Sequence, residues 1–198
     1  VLLLPSGLLA VAYTDAAGRI AYQSYAQSAG TWKQVQPTVL IDDTATDRIH
    51  PTIAVGPSGK IWIASSGASA TGTLEIPCQS SADRGLTWQE EKTLTAAQAQ
   101  AGSVRVLSTA DGIHAVYTVG NELHWTAFTP QGQQQDQTIL TFGPQQWDPY
   151  RSHFSAVADG LDLHVATTTG DRRLAYLHYD GETDTWLPAK VLTTYDSA

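Results

Sequence analysis

Methionine is absent and cysteine occurs once, at Cys78. A single cysteine closes no internal disulfide and supplies no cysteine-based zinc site, so it reads as a small buried apolar side chain. Basic residues are scarce: 11 Lys and Arg stand against 19 Asp and Glu, for a net charge of −8. A nucleic-acid partner would need a basic stripe along its phosphates, and this balance excludes one. Long hydrophobic runs are missing too. Val1-Leu2-Leu3-Leu4 stops at Pro5, far short of the roughly 20 apolar residues of a spanning helix, so membrane insertion is not expected. Without an initiator methionine, the chain is expected to begin after a removed signal or an upstream domain.

What is present favours strands. The 198 residues are 42% hydrophobic and only 15% charged, which suits a globular chain with a substantial core, in one large domain or two small ones. Sixteen glycines and an even spread of Val, Ile, Thr, Tyr and Trp point to many short strands. A tight-turn signal recurs as Pro5-Ser6-Gly7, Pro57-Ser58-Gly59, Ala110-Asp111-Gly112 and Ala158-Asp159-Gly160, so its glycines lie 52, 53 and 48 residues apart. Thr31-Trp32, Thr87-Trp88 and Thr185-Trp186 follow the same period, 56 and then 98 residues apart. Two markers sharing a repeat near 50 residues indicate four units of four short strands. In the last unit the strands are expected at 154–158, 161–168, 173–179 and 186–193; in the third, at 104–108, 113–118, 123–128 and 138–142. Ile20-Ala21-Tyr22, Leu123-His124-Trp125 and Leu174-Ala175-Tyr176 align as third strands, with Leu74-Glu75-Ile76 as an aliphatic version. The one helix-like stretch, Thr95 to Ala101, has room for a single turn.

Ser81-Ala82-Asp83-Arg84-Gly85-Leu86-Thr87-Trp88 fits S-x-D-x-G-x-T-W at all five fixed positions. It resembles the Asp-box, or bacterial neuraminidase repeat, of sialidase-like β-propellers. The resemblance implies structural roles for Ser81, Asp83, Gly85, Thr87 and Trp88. Asp accepts hydrogen bonds from its own turn, Gly supplies a positive-φ corner, and Trp packs between sheets. The aligned turns of the first and fourth units keep Thr-Trp but carry Gln27 and Gly181 at the aspartate position. The fold class expected is all-β: a β-propeller with four four-stranded antiparallel blades at roughly 1–42, 50–96, 103–143 and 153–195. These form one propeller region over 1–198, part of a larger propeller of about six blades or more.

In such a fold the Asp-box turn lies on one face, and ligand-binding loops gather on the other, at 41–51, 96–104, 144–153, 14–19, 66–72, 118–122 and 167–173. Arg48, Arg105 and Arg151 each fall where an innermost strand begins. Sialidases hold a substrate carboxylate with an arginine cluster, a task suited to bidentate guanidinium geometry. Arg48-Ile49-His50-Pro51 is similar to their Arg-Ile-Pro element, with His50 inserted. Trp147, Tyr150, Arg151 and His153, with Asp148, form the segment richest in side chains that bind sugars or peptides; the alternative is that Trp147 and Tyr150 plug the gap between blades. The ligand-binding set is therefore Arg48, His50, Arg105, Trp147, Tyr150, Arg151 and His153.

A sialidase also needs a tyrosine nucleophile, a glutamate to activate it and a further acid. The five glutamates, Glu75, Glu90, Glu91, Glu122 and Glu182, are not plainly placed at the loop face, and no catalytic residue is assigned. His114, His124, His164 and His178 read as repeat positions scattered by strand alternation, and the Asp42 to Asp47 run as a solvated loop without the glycine and terminal glutamate of an EF-hand. Neither metal nor cofactor is expected. The function expected is a non-catalytic glycan- or protein-binding scaffold that is extracellular, periplasmic or at the cell surface. The alternatives are an exo-sialidase type glycoside hydrolase completed by further blades, and a structural subunit assembling through open blade edges.

Overall fold

A computed structural model describes residues 1–42, 48–68, 74–94, 101–128, 134–142, 154–169 and 173–193. These form four antiparallel sheets, with no helix among the described residues. Sheet one contains β1 (Leu2–Leu3), β2 (Leu9–Thr14), β3 (Ile20–Ser28), β4 (Thr31–Gln34) and β5 (Val39–Asp42). Sheet two contains β6 (Ile49–Val55), β7 (Ile61–Ala68), β8 (Leu74–Glu75), β9 (Pro77–Ser81) and β10 (Gln89–Thr93). Sheet three is β11 (Ala101–Ser108), β12 (Ile113–Val119), β13 (Glu122–Phe128) and β14 (Gln134–Thr141). Sheet four is β15 (Phe154–Asp159), β16 (Asp162–Thr168), β17 (Leu174–Asp180), β18 (Thr185–Trp186) and β19 (Lys190–Val191). Each sheet runs as a meander in chain order from an innermost to an outermost strand.

The repeated turn signal joins the first and second strands of every sheet. Gly7, Gly59 and Gly160 adopt φ of 81°, 79° and 64° there, a region that glycine enters without a Cβ penalty. Several strand limits differ from the sequence pattern. In sheet three the fourth strand begins at Gln134, ahead of the expected 138, because a polar outermost strand carries no apolar alternation to mark its start. In sheet four the expected 186–193 strand divides into β18 and β19, both paired to β17, with Pro188 between them. Sheet one repeats this with Pro37 between β4 and β5. Proline lacks the ladder donor and is tolerated at a sheet edge, where the interruption also blunts edge-to-edge pairing. Leu74 to Ser81 keeps a single register against β7, with Glu75 opposite Gly67 and Cys78 opposite Ala64. It breaks only beside Pro77. Thr95 to Gln100, the helix-like stretch, lies outside the described residues.

Three apolar layers hold neighbouring sheets together. Ile20 and Tyr22 pack with Ile61 and Ile63 between sheets one and two. Ile76 and Cys78 meet Val104, Val106 and Tyr117 between two and three. Val116, Leu123 and Trp125 meet Phe154, Leu163, Val165 and Leu177 between three and four. No comparable layer joins sheet four to sheet one among the described residues. Innermost strands of all four sheets line one axial cavity of about 620 Å³, walled by Leu3, Ile53, Val55, Leu107, Ala156 and Val157 among others.

Candidate functional site

On the loop face, Arg48 is only 2% exposed. Its Nη2 donates to Glu75 Oε1 at 2.6 Å, and Nη1 donates to the Gly67 carbonyl at 3.1 Å and the Glu75 carbonyl at 3.4 Å. Its backbone N–H donates to the Gly18 carbonyl of sheet one at 2.8 Å. Gly18 belongs to a β2–β3 turn closed by Asp15, whose carboxylate takes the Arg19 guanidinium at 2.7 and 2.9 Å and the backbone N–H groups of Ala17 and Arg19. The Arg19 side chain, then its backbone, lowers the Asp15 pKa. Arg48 therefore stands behind the surface, tying the start of β6 to β7, β8 and sheet one.

His50 follows at an exposed position with φ of 52°, inside a register shift between Ile49 and Thr52 and directly before Pro51. A non-glycine residue at positive φ is strained, and a bulge of this kind re-aims a side chain out of the ladder. Arg105 lies on β11 opposite Val116, on the face turned towards sheet four, and donates Nη1 to the Val104 carbonyl at 3.1 Å. Trp147, Tyr150, Arg151 and His153, together with Asp148, lie outside the described residues, as do Asp43 to Asp47.

The opposite face carries the turns. Asp83 Oδ1 accepts from the Ser81 hydroxyl at 2.8 Å and from the backbone N–H of Leu86 and Thr87 at 3.0 and 2.9 Å, and Oδ2 accepts from the Thr87 hydroxyl at 2.5 Å. The Thr87 hydroxyl and N–H, followed by Ser81, hold the Asp83 pKa down at about 2. Gly85 has φ of 90° and donates to Ser81 Oγ at 2.8 Å, while Trp88 Nε1 donates to its carbonyl at 3.1 Å. Trp88 then packs edge-on against Tyr22 of sheet one, with ring centroids 5.3 Å apart. All four of these hydrogen bonds, accepted by the Asp83 carboxylate, close within the turn.

Sequence reasoning missed a cavity of about 240 Å³ on this same face, between sheets three and four. It is lined by Asp111, His114, Gln135, Tyr179 and Asp184, with Phe128 as an apolar wall. Its signal was in the Asp111-Gly112 and Gly181-to-Asp184 turns, which the repeat explained as punctuation. His114 is buried, and its Nδ1 accepts from Trp125 Nε1 at 3.1 Å, so Nε2 carries the proton towards Thr109 Oγ1 at 2.9 Å. Burial lowers its pKa, and the Asp111 carboxylate only partly offsets that.

Two tyrosine hydroxyls meet carboxylates: Tyr117 donates to Asp136 at 2.9 Å and Tyr179 to Asp184 at 2.5 Å. Burial first, then the carboxylate, pushes both phenols well above their ordinary value. Glu122 is held by His124 at 3.1 Å, and Glu90 by the Thr93 hydroxyl at 2.8 Å. The expected scatter of histidines holds for His114 and His124 but not for His164 and His178. These two are directly opposite on β16 and β17, because residues opposite in a ladder share one sheet face.

No family model matches the chain, and no curated protein matches it in sequence. Solved structures do match. The GH93 α-L-arabinofuranosidase of Fusarium graminearum, in complex with arabinobiose, is 13% identical with a TM-score of 0.56, over 89% of this chain and 60% of that one. A variant of the Aleuria aurantia lectin with Fucα1-6GlcNAc gives 14% and 0.56, over 96% and 60%. Trypanosoma rangeli sialidase with the inhibitor DANA gives 15% and 0.55, over 80% and 30%. The fold is a β-propeller. The chain spans 60% or less of each of these relatives' length, and at such identities the likeness establishes fold alone. The sheets are thus blades, and the innermost strands line the propeller axis.

Proposed function

We propose that this propeller is a non-catalytic, extracytoplasmic glycan-binding module of sialidase-like type, with the Ser81–Trp88 turn as its Asp-box. The observation that carries the reading is the state of the tyrosines. A tyrosine nucleophile needs a glutamate that draws its proton away. Among the described residues, Tyr117 and Tyr179 instead donate to aspartates and are harder to ionise than a free phenol. Arg48, which the Arg-Ile-Pro-like element assigns to a substrate carboxylate, is buried and occupied by Glu75. His50 and Arg105, with Trp147, Tyr150, Arg151 and His153, are assigned to ligand contact, supported by the strained outward bulge at His50 and the aromatic content of 147–153. The arabinobiose and fucosyl-GlcNAc complexes of two structural relatives support a sugar as ligand.

A glycan array probed with the purified chain, run beside fluorogenic sialoside and arabinofuranoside assays, tests this. The expected result is saturable glycan binding that weakens in Arg105→Ala and Trp147→Ala, with no turnover. Turnover of either substrate would establish the exo-glycosidase alternative, and binding to proteins without glycans would replace the sugar with a protein ligand.

A second reading, a subunit that assembles through its open blade faces, is favoured by Trp32. Trp88 packs on Tyr22 and Trp186 on Trp125, each ring on the preceding blade, whereas Trp32 at the same repeat position in blade one is 42% exposed. Sedimentation velocity distinguishes this reading: concentration-dependent association abolished by Trp32→Ala supports it, and a monomer at all concentrations removes it.

A further inference from the structure

We propose that the outer face of blade four holds a divalent transition-metal site formed by Asp162, His164 and His178, of which Zn²⁺ is the representative ion. One ligand atom from each residue lies within 4.8 Å of the others. Asp162 and His164 are two apart on β16 and so share a face, and His164 is directly opposite His178 on β17. His178 Nε2 and Asp162 Oδ2 are 3.1 Å apart. Metal bonds of 2.0–2.2 Å in a tetrahedron set ligand atoms roughly 3.3–3.5 Å apart. That edge is thus nearly in place, and His164 brings the third ligand atom within 4.8 Å of the other two.

The groups behind these ligands are arranged as metal sites require. Tyr176 Oη meets His164 Nδ1 at 2.7 Å, which fixes the ring and leaves Nε2 as the ligand atom. The Gly181 N–H donates to Asp162 Oδ1 at 3.0 Å and fixes the carboxylate, leaving Oδ2 towards His178. The charge balance agrees, because Asp159 on β15 stands directly opposite Asp162. Like charges placed this way repel, and a cation relieves the repulsion.

Blade three provides an internal control. His114 has the repeat position of His164, and its ring also stacks on the third-strand aromatic, Trp125, as His164 does on Tyr176. At the positions of His178 and Asp162, however, blade three has Ala127 and Gly112, and blade four packs over that face. The two extra donors therefore occur only on the blade whose face is not covered by another described sheet. Two imidazoles and one carboxylate favour Zn²⁺, Ni²⁺ or Cu²⁺ over Ca²⁺ or Mg²⁺, which prefer all-oxygen sites.

Isothermal titration of the chelator-treated chain with ZnCl₂, and separately with CaCl₂, tests the site. One equivalent of Zn²⁺ is expected to bind, with no matching Ca²⁺ isotherm. His178→Ala and His164→Ala should each weaken binding at least tenfold, Tyr176→Phe by about tenfold, and His124→Ala not at all. Histidine ring resonances assigned by NMR should shift for His164 and His178 on adding Zn²⁺. The absence of a Zn²⁺ isotherm for the folded chain, or equal binding by wild type and a folded His164→Ala/His178→Ala variant, would overturn the assignment.

Discussion

Asp83 shows how far one side chain can organise a turn. Its native pKa, about 2, is below the ordinary 3.8 because four donors favour the anion. The stabilisation it gives is therefore complete above pH 3.8 and lost as pH falls through 2. Asp83→Ala should lower the thermal midpoint at neutral pH, and its difference from wild type should close between pH 3.8 and 2 in scans monitored by circular dichroism. Gly85 is constrained twice: φ is 90°, and a Cβ would fall 2.1 Å from Tyr22 Cε1. Gly85→Ala should cost about 2–4 kcal/mol in urea unfolding, the sum of backbone strain and overpacking. At Cys78, burial pushes the thiol pKa far up, so the residue should resist Ellman's reagent in the native chain and react on unfolding.

Individual elements depend on partners distant in sequence. The start of β6 is held by Arg48, whose guanidinium spans Gly67 on β7 and Glu75 on β8. Arg48 is buried and Glu75 only part-buried, so Arg48→Ala loses the guanidinium's hydrogen bonds but leaves a carboxylate that water can reach, and should cost about 1–3 kcal/mol by equilibrium unfolding. Any loss of glycan binding in that variant would follow from a displaced strand, which is why Arg105→Ala is the better probe of ligand contact. In the β12–β13 pair, His114 sits neutral beneath Trp125. Burial depresses its pKa below the ordinary 6.5, so the neutral form stabilises the fold fully above that pH, and the benefit is lost as pH falls through the native value. Stability should decline below pH 6.5 with a slope of up to about 1.4 kcal/mol per pH unit, and His114→Gln should flatten it.

At the scale of the molecule, each blade lays one face on its neighbour, and only the outer faces of blades one and four lack such a cover among the described residues. The consequences differ at the two ends. Blade one presents Trp32, Leu3 and Leu40 to solvent, and blade four presents Val157 beside the polar Asp162–His164–His178 group. The first is suited to packing and the second to coordination.

The repeat of glycine turns and Thr-Trp pairs made the four sheets legible in the chain, because turn chemistry and alternation are local properties written at fixed spacing. The Asp83 turn was legible for the same reason, since the hydrogen bonds of the Asp83 carboxylate close within eight residues. Arg48 was visible as a residue but not as a buried one: nothing local brings Glu75 to its guanidinium, which depends on β6, β7 and β8 sharing a sheet. The cavity beside His114 and the Asp162–His164–His178 cluster were likewise invisible, because strand register decides which side chains stand opposite one another. Sequence by itself thus determined the repeat, the turns and the strand periodicity. Tertiary structure alone decided which charges are satisfied internally and which donors converge, because both depend on distances between segments that the chain leaves free until the sheets pack.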